Sequence, residues 1–402
     1  MPVSDSVAAS LMLEFGSRTG LTSAIEHPRR YLWTDAFAVC NFLELFARTG
    51  EQKYQEYALL LIDQVHRMLG RYREDDVRRG WISGLDEENG RLHPTIGGLR
   101  IGKPLKEREY TEPFDEGLEW DRDGQYFHYL TKWMHALSQT AIIANRPTYA
   151  RWAGELASAA FQGFAFASSG RLLGIYWKMS TDLSRPLVAA MGLHDVVDGL
   201  ITFREVAKAI TSGSIADGMI NIVTAIKSLS ALCQRRDLVT DDPLGLGGLL
   251  FDACRLCELL DPKSHADVEL FETLLDGCSH GLNRFVRARP LAEPASNRLA
   301  FRELGLAIGL KAVPSIRHRI TEHGTHFENR TNLRRAINLI ETHASMSDEI
   351  IGAWLPHAED QDKNWRRHQD INEVMLSTAL VPNTFLSTFG REAIALLGVK
   401  RA

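Results

Sequence analysis

The sequence lacks a membrane-spanning segment, because no stretch approaches the run of about 18 apolar residues that a transmembrane helix needs. It also lacks a basic patch and any RNA-recognition signature, which argues against a nucleic-acid partner. Acidic and basic residues are interleaved, and the net charge is only −5. The N-terminus has no basic start and carries Asp5 and Glu14, so we expect no signal peptide. These absences predict a cytoplasmic protein without a membrane partner.

Cysteine is scarce, and its pattern argues against both disulfides and metal. The five cysteines are Cys40, Cys233, Cys254, Cys257 and Cys278. An odd number, set among Leu, Ala and Phe, predicts reduced thiols in helix interiors. Cys254 and Cys257 form a C-x-x-C pair, but no second pair or nearby histidine completes a zinc set. We therefore expect no metal and no cofactor.

The common catalytic motifs are absent as well. The sequence contains no G-x-S-x-G, P-loop, G-x-G-x-x-G or H-E-x-x-H pattern. Gly245–Gly248 resembles a phosphate loop only loosely, and we interpret it as the start of a helix. Helical periodicity dominates instead, as in Phe127, Leu130, Met134 and Leu137, which recur at steps of three and four residues. The sequence predicts an all-α protein.

Six helical hairpins recur along the chain. Their first helices start near Trp33, Asp123, Asp195, Gly245, Asn297 and Asp370, and their second helices near Gln52, Thr148, Ile215, Asp267, Thr331 and Thr384. The first-helix starts are about 50 to 90 residues apart, which is too uneven for a short-period solenoid. We predict one domain, 1–402, with an N-terminal helix Val7–Phe15 and lead-in over 1–29 and six hairpins over 30–398, closed into an (α/α)6 toroid. Gly80–Leu85 and Leu172–Trp177 are predicted to form short strands in rim loops.

The loops before the first helices differ from those before the second helices. The former carry acids, histidines or tryptophans, as in Glu119–Asp123 and His368–Glu373, and the latter are plain turns. In a toroid all first helices run parallel, so these loops share one rim, and the positive helix ends there favour anions. The alternative is that each acid only caps its helix.

Carboxylates in two of these loops suggest acid–base chemistry. Three acids stand within Glu119–Asp123, and crowding among apolar neighbours raises a carboxyl pKa as a general acid requires. Asp121 or Asp123 would be the acid, and Asp370 or Glu373 the base or nucleophile. Hydrolysis of a glycosidic bond needs such a pair at about 5–5.5 Å for retention or about 6.5–9.5 Å for inversion.

Aromatic and polar side chains around these acids are predicted to bind the substrate. Trp33, Trp120 and Trp177 would stack on sugar rings, while Asp35 and His194 would bind hydroxyls. The remaining candidates near the same loops are His128, Tyr176, Asp195 and His368. The competing interpretation of His128 is a hydrogen-bonded core residue, and that of Tyr176 and Trp177 is surface exposure at a strand end.

Two histidines suggest a different reaction. His194 and His368 stand in separate rim loops, and imidazoles have pKa values suited to moving protons at a sugar carbon. Metal binding together with Asp195 and Asp370 is the alternative, but the spacing matches no defined metal motif.

With its hairpin count, its decorated inner loops and its final His368–Glu373 loop, the chain resembles the six-hairpin glycosidase-like (α/α)6 superfamily over about 30–398. That superfamily includes glycoside hydrolases, unsaturated-uronyl hydrolases and an epimerase and isomerase group that uses two histidines from separate hairpins. The resemblance implies a carbohydrate-directed pocket for a small molecule or oligosaccharide. Three functions stay open: a glycoside hydrolase, which we favour, a sugar epimerase or isomerase, and a non-catalytic glycan-binding toroid. The sequence does not predict the oligomeric state.

Overall fold

The computed structural model describes residues 3–169, 171–190, 192–211, 219–233, 237–327, 330–360 and 362–388, and most of them are helical. The prediction of an all-α protein is confirmed. The helices are α1 Val3–Arg18, α2 Leu32–Thr49, α3 Gln52–Leu69, α4 Glu87–Leu92, α5 Glu116–Asp121, α6 Phe127–Ile143, α7 Pro147–Phe164, α8 Asp195–Thr211, α9 Met219–Cys233, α10 Pro243–Leu259, α11 His265–Ala288, α12 Ala300–Lys311, α13 Val313–Glu322, α14 Gly324–Phe327, α15 Thr331–Thr342, α16 Met346–Asp360, α17 Lys363–Arg367, α18 Gln369–Leu380 and α19 Asn383–Leu386.

Short strands accompany the helices. They are β1 Gln125–Tyr126, β2 Ala165–Ser168, β3 Arg171–Ile175, β4 Lys178–Met179 and β5 Pro186–Val188. Antiparallel pairing joins β2 to β3 in one hairpin and gives the order β1-β4-β5 in a second sheet. The strand predicted over Leu172–Trp177 is confirmed in β3. The strand predicted over Gly80–Leu85 is wrong, because only Trp81 forms a bridge, with Arg71, before the chain turns.

Most predicted helix starts are confirmed to within a few residues. The largest shift is at Asp123, because the chain first runs through β1 and α6 begins only at Phe127. The predicted start near Ile215 lies outside the described residues, and α9 is described from Met219. The connection from α3 to β1 contains two short helices, α4 and α5, which Asp86 and Asp115 cap through side-chain bonds.

The chain divides into two compact units that alternate along the sequence. Unit 1 takes the described residues of Met1–Phe15, Ala47–Gly50 and Cys233–Ala402, and unit 2 those of Gly16–Phe46 and Glu51–Leu232. The expectation of one domain over 1–402 stays a prediction.

Unit 2 is built on α6, which packs against α7 and α8. Trp133 of α6 reaches α3, where its indole N–H donates to His66 Nε2 at 3.1 Å. The buried face of α6 is unusually polar for a helix core. His135 Nδ1 lies 2.8 Å from Glu205 of α8, and Gln139 donates to the same carboxylate at 3.2 Å.

Unit 1 is built on the contact between α10 and α12. Glycines allow these helices to approach closely: a Cβ on Gly247 would lie 2.0 Å from the Gly305 carbonyl oxygen, and one on Gly309 would lie 2.7 Å from Gly247. Here too the core holds charge, because Arg255 of α10 is fully buried and donates to Asp252 at 2.7 Å.

The predicted fifth hairpin needs a correction. We expected α12 to pair with the helix near Thr331, which is α15. Instead α15 packs against α11 and α13, while α12 packs against α16 and α18. The physical reason is that α15 is strongly amphipathic and buries only one stripe, which includes Leu333, Ile337 and Ile340. The later helix α16, which the sequence analysis did not identify, brings the fully buried Trp354 to α12, where its indole N–H bonds Glu303.

None of the described helices is long and apolar enough to cross a membrane. All five cysteines are buried within α2, α9, α10 and α11, as the sequence predicted. The Cys254–Cys257 pair is a packing feature, in which the Cys257 thiol donates to the Cys254 carbonyl oxygen at 3.0 Å.

Candidate functional site

Aromatic side chains collect in unit 2 where α6 begins. Trp177, in the turn between β3 and β4, is the centre of the group. Its ring lies 5.0 Å from Tyr126 and 5.3 Å from Trp120, and it stacks on His128 at 6.2 Å with only 9° between the planes. Tyr129 closes the group, 4.8 Å from His128. We call these five rings the aromatic face.

The aromatic face is partly open to solvent. Trp120 is 50% exposed, and Trp177, His128 and Tyr129 are half-buried, while Tyr126 lies beneath them. Trp120 is held against the ring of Trp177 and is therefore ordered before a ligand binds. An ordered, exposed aromatic ring can pack on a flat apolar surface, such as one side of a sugar ring.

A pair of phenols stands beside the aromatic face. The hydroxyls of Tyr31 and Tyr129 are 2.5 Å apart. Burial is the main cause that raises the pKa of Tyr31 to about 12. It also raises the pKa of Tyr129 well above its ordinary value. Both hydroxyls therefore stay protonated near neutral pH and act as hydrogen-bonding groups. Trp33 packs behind them, with its ring 6.5 Å from Tyr129 and 4.4 Å from Phe37.

His128 brings an imidazole into this region. Burial first, and then the Lys132 ammonium, lower its pKa to about 3, so the imidazole is neutral near neutral pH. Its Nδ1 lies 4.0 Å from a carboxylate oxygen of Asp195, at the start of α8. Across the part of the chain that the structure describes, this Nδ1 is buried without a hydrogen-bond partner.

One turn deeper, α6 and α8 are joined by a polar link. Lys132 donates to Asp198 at 2.9 Å, and the Thr131 hydroxyl donates to the same carboxylate at 2.5 Å. Asp198 is thereby fixed as an internal partner of α6. The link holds the starts of the two helices together and so positions Asp195 beside His128.

A buried ion pair fixes Trp120 against Trp177. Lys178 of β4 donates to the Glu119 carboxylate at 2.8 Å and to the Glu119 carbonyl oxygen at 2.7 Å. Arg108 approaches the same carboxylate at 3.1 Å. Burial lowers the pKa of Lys178, although Glu119 opposes this effect. The ion pair fastens the last turn of α5 to β4. Because Trp120 follows Glu119 and Trp177 precedes Lys178, the ion pair also brings these two tryptophans together.

Two predicted site acids have structural roles instead. Asp123 is fully buried and pairs with Arg100, while its second oxygen accepts from the backbone of Gly102 at 3.0 Å. Asp35, predicted to bind hydroxyls, accepts from the Tyr31 backbone at 2.9 Å and lies 3.3 Å from Arg30. Both carboxylates are turned toward the loops that they fasten.

The other predicted residues of unit 2 are divided. Asp121, the last residue of α5, is exposed, and His194 precedes Asp195 and is half-buried. Tyr176 does not join the aromatic face, because its ring stacks on Phe166 at 4.6 Å across the β2–β3 hairpin. The Tyr176 ring, which was predicted to contact the substrate, therefore contacts Phe166.

Unit 1 holds the remaining predicted residues. Asp370 is half-buried in the first turn of α18, and Glu373 is fully buried and accepts from Gln369 at 2.8 Å. His368 precedes the helix and packs edge-on to Phe301 at 5.6 Å, and partial burial lowers its pKa. His368 occupies the N-cap position of α18, and its side chain makes no capping hydrogen bond.

Sequence reasoning missed Tyr31 and Tyr129. Both residues lie near predicted site residues in the sequence, because Tyr31 precedes Trp33 and Tyr129 follows His128. Only the structure shows that Tyr31, just before α2, contacts Tyr129 of α6. Within the described ranges, no group of three or more His, Cys, Asp or Glu side chains is placed to hold a metal ion.

Comparisons of the chain with protein-family models, with curated proteins and with solved structures find no match.

Proposed function

We propose that this protein is a carbohydrate-active enzyme whose substrate binds against the aromatic face of unit 2. The observation that supports this most is the fixed pair Trp120 and Trp177, partly exposed and surrounded by hydroxyl, imidazole and carboxylate groups. Rings of this kind cover the apolar side of a sugar, while polar neighbours bind its hydroxyls.

For the reaction we propose glycoside hydrolysis, with Asp121 as the acid. Of the two predicted catalytic carboxylates of unit 2, Asp121 is the accessible one, since Asp123 is fully buried. A proton donor has to reach the leaving oxygen, and a buried anchor cannot do so. Asp121 directly follows Trp120 of the aromatic face.

The hydrolase proposal is tested with a panel of aryl glycosides. Asp121→Asn should lower the release of aryl alcohol at least 100-fold, because general acid–base groups contribute about 10²–10⁴. Asp348→Asn is the control, because Asp348 is exposed and pairs with Lys311 on the surface. Equal rates in the two variants would rule out this assignment.

A second reaction, sugar epimerisation or isomerisation, is favoured by the contact between His128 and Asp195. The Asp195 carboxylate would take the proton from a sugar carbon, while the neutral imidazole, with its lowered pKa, would polarise the adjacent oxygen. In this reaction His128 takes the role that the sequence analysis gave to His194. The two reactions are distinguished in deuterated water, where proton transfer at carbon incorporates deuterium into the sugar and hydrolysis does not.

We also propose the (α/α)6 toroid as the arrangement of the hairpins. Support comes from each unit separately: first helices pack on one another, α6 with α8 in unit 2 and α12 with both α10 and α18 in unit 1. These same helices carry the buried polar side chains. Both features are expected of an inner layer of helices, and an experimental structure tests the closure.

A further inference from the structure

A second cavity in unit 2 lies apart from the aromatic face. It has a volume of about 290 Å³ and is lined by α3, the turn at Trp81, the Arg91–Pro94 segment and the start of α7. Its walls include Trp81, Trp152, Tyr149 and His66. This volume is close to the lower end of the range for small-molecule sites.

The buried wall of this cavity is an oriented hydrogen-bond donor. His66 is 3% exposed, and its Nε2 accepts from the Trp133 indole N–H at 3.1 Å. A neutral imidazole whose Nε2 accepts must carry its proton on Nδ1. Among the described residues no hydrogen bond to this Nδ1 is present, so the ring offers one N–H donor of fixed tautomer.

The walls beside His66 are flat and aromatic. Its ring lies 5.0 Å from Trp152, edge to face, and Tyr149 packs on Trp152 at 5.1 Å. Trp81 also lines the cavity, and its indole packs against Gly90 and against the Arg71 guanidinium, which lies 4.5 Å from its ring. Rings held in this way by neighbouring contacts suit a planar aromatic ligand, because they are already ordered before it binds.

The opening of the cavity carries a surplus of positive charge. Its charged lining residues are Arg67, Arg91 and Asp63. Arg67 pairs with Asp63, and Arg91 donates to Glu87 at 2.8 Å, outside the lining. Both guanidinium groups are more than half exposed, so their remaining donors can reach an anion at the opening.

We infer that this cavity binds a small planar aromatic carboxylate, with the ring against Trp152 and the carboxylate toward Arg67 and Arg91. The His66 N–H would meet a polar edge of the ring or the near carboxylate oxygen. This inference is independent of the proposed carbohydrate site, since the two share no residue.

The probes for this inference are indole-3-acetate and its neutral analogue indole-3-acetamide, each titrated calorimetrically into the full chain. We expect the carboxylate to bind at least tenfold more tightly than the amide. Equal affinities, or no binding of either compound, would overturn the inference.

Two arginine variants provide the matched comparison. Arg67→Gln should weaken binding of indole-3-acetate at least fivefold, and it leaves the fold intact because this side chain is 57% exposed. Arg79→Gln, at an exposed position outside the lining, should leave the affinity unchanged. A similar loss in both variants would show non-specific charge attraction and contradict the inference.

A third variant tests the oriented N–H. Trp133→Phe removes the donor to Nε2 without touching the lining, so the His66 proton is no longer held on Nδ1. We expect weaker binding of indole-3-acetate and an altered tautomer in the ¹⁵N spectrum of His66. A changed tautomer with unchanged affinity would show that the His66 N–H takes no part.

Discussion

At the scale of single residues, Asp123 illustrates how burial decides the role of a carboxylate. Its neighbours are the Arg100 guanidinium and the backbone N–H groups of Gly102 and Gly124, all donors that belong to adjoining loops. Asp121, two residues earlier, is exposed. The sequence shows two similar acids, and only the structure separates the anchor from the accessible group.

Asp123→Asn should therefore destabilise the protein by about 3 kcal/mol, because it leaves the Arg100 guanidinium buried without its counter-charge. Asp121→Asn should change stability by less than about 0.5 kcal/mol, as exposed substitutions usually do. Urea denaturation of both variants measures the difference. Equal midpoints would contradict the role of Asp123 as an anchor.

His66 gives a pH dependence of stability. Burial lowers its pKa to about 3 from an ordinary value of 6.5, so the folded state keeps this ring neutral while the unfolded chain takes up a proton. Stability is therefore complete above about pH 6.5 and falls as the pH drops toward 3.

The expected loss between pH 7 and pH 5 is about 2 kcal/mol from this group, measured by denaturant titration at each pH. His66→Gln should reduce the slope of the profile in this window, while His128, whose pKa burial also lowers to about 3, keeps its own contribution. His318→Gln should not, because His318 is exposed and its pairing with Glu322 lies on the surface. Identical slopes in the two variants would refute the assignment to His66.

At the scale of elements, sequence periodicity predicted most helices correctly because each buries a stripe of apolar residues at three- and four-residue steps. Periodicity failed where contacts between segments distant in the sequence determine how strands and helices pair. Trp81–Leu85 has strand-like composition, yet it forms only one bridge. The pairing of α12 with α16, rather than α15, depends on Trp354 meeting Glu303, which no local pattern reveals.

The crossing of α10 and α12 allows a comparison between adjacent glycines. Gly247→Ala should destabilise the protein by about 2 kcal/mol, because its Cβ would overlap the Gly305 carbonyl oxygen. Gly248→Ala should be neutral or stabilise by up to about 1 kcal/mol, since the added Cβ meets nothing within 4 Å and alanine favours helix. Thermal unfolding compares the two, and equal shifts would contradict the close packing.

At the scale of the whole molecule, the contrast between first and second helices was the most informative signal in the sequence. Four of the residues that it singled out, Trp120, Trp177, His128 and Asp195, lie in one region of unit 2. It did not distinguish acids that fasten loops from acids that face solvent, because both types follow the same helix-start pattern. That distinction depends on which arginines and backbone groups lie nearby.

The central claim is that the aromatic face binds a carbohydrate, and a glycan array measures this most directly. We predict selective binding by the unmodified chain and at least a tenfold loss of affinity in Trp177→Ala, which removes the ring that joins Trp120 to His128. Tyr110→Ala is the control, because Tyr110 is 85% exposed and lies outside the aromatic face. Full retention of glycan binding in Trp177→Ala, or an equal loss in Tyr110→Ala, would contradict the claim.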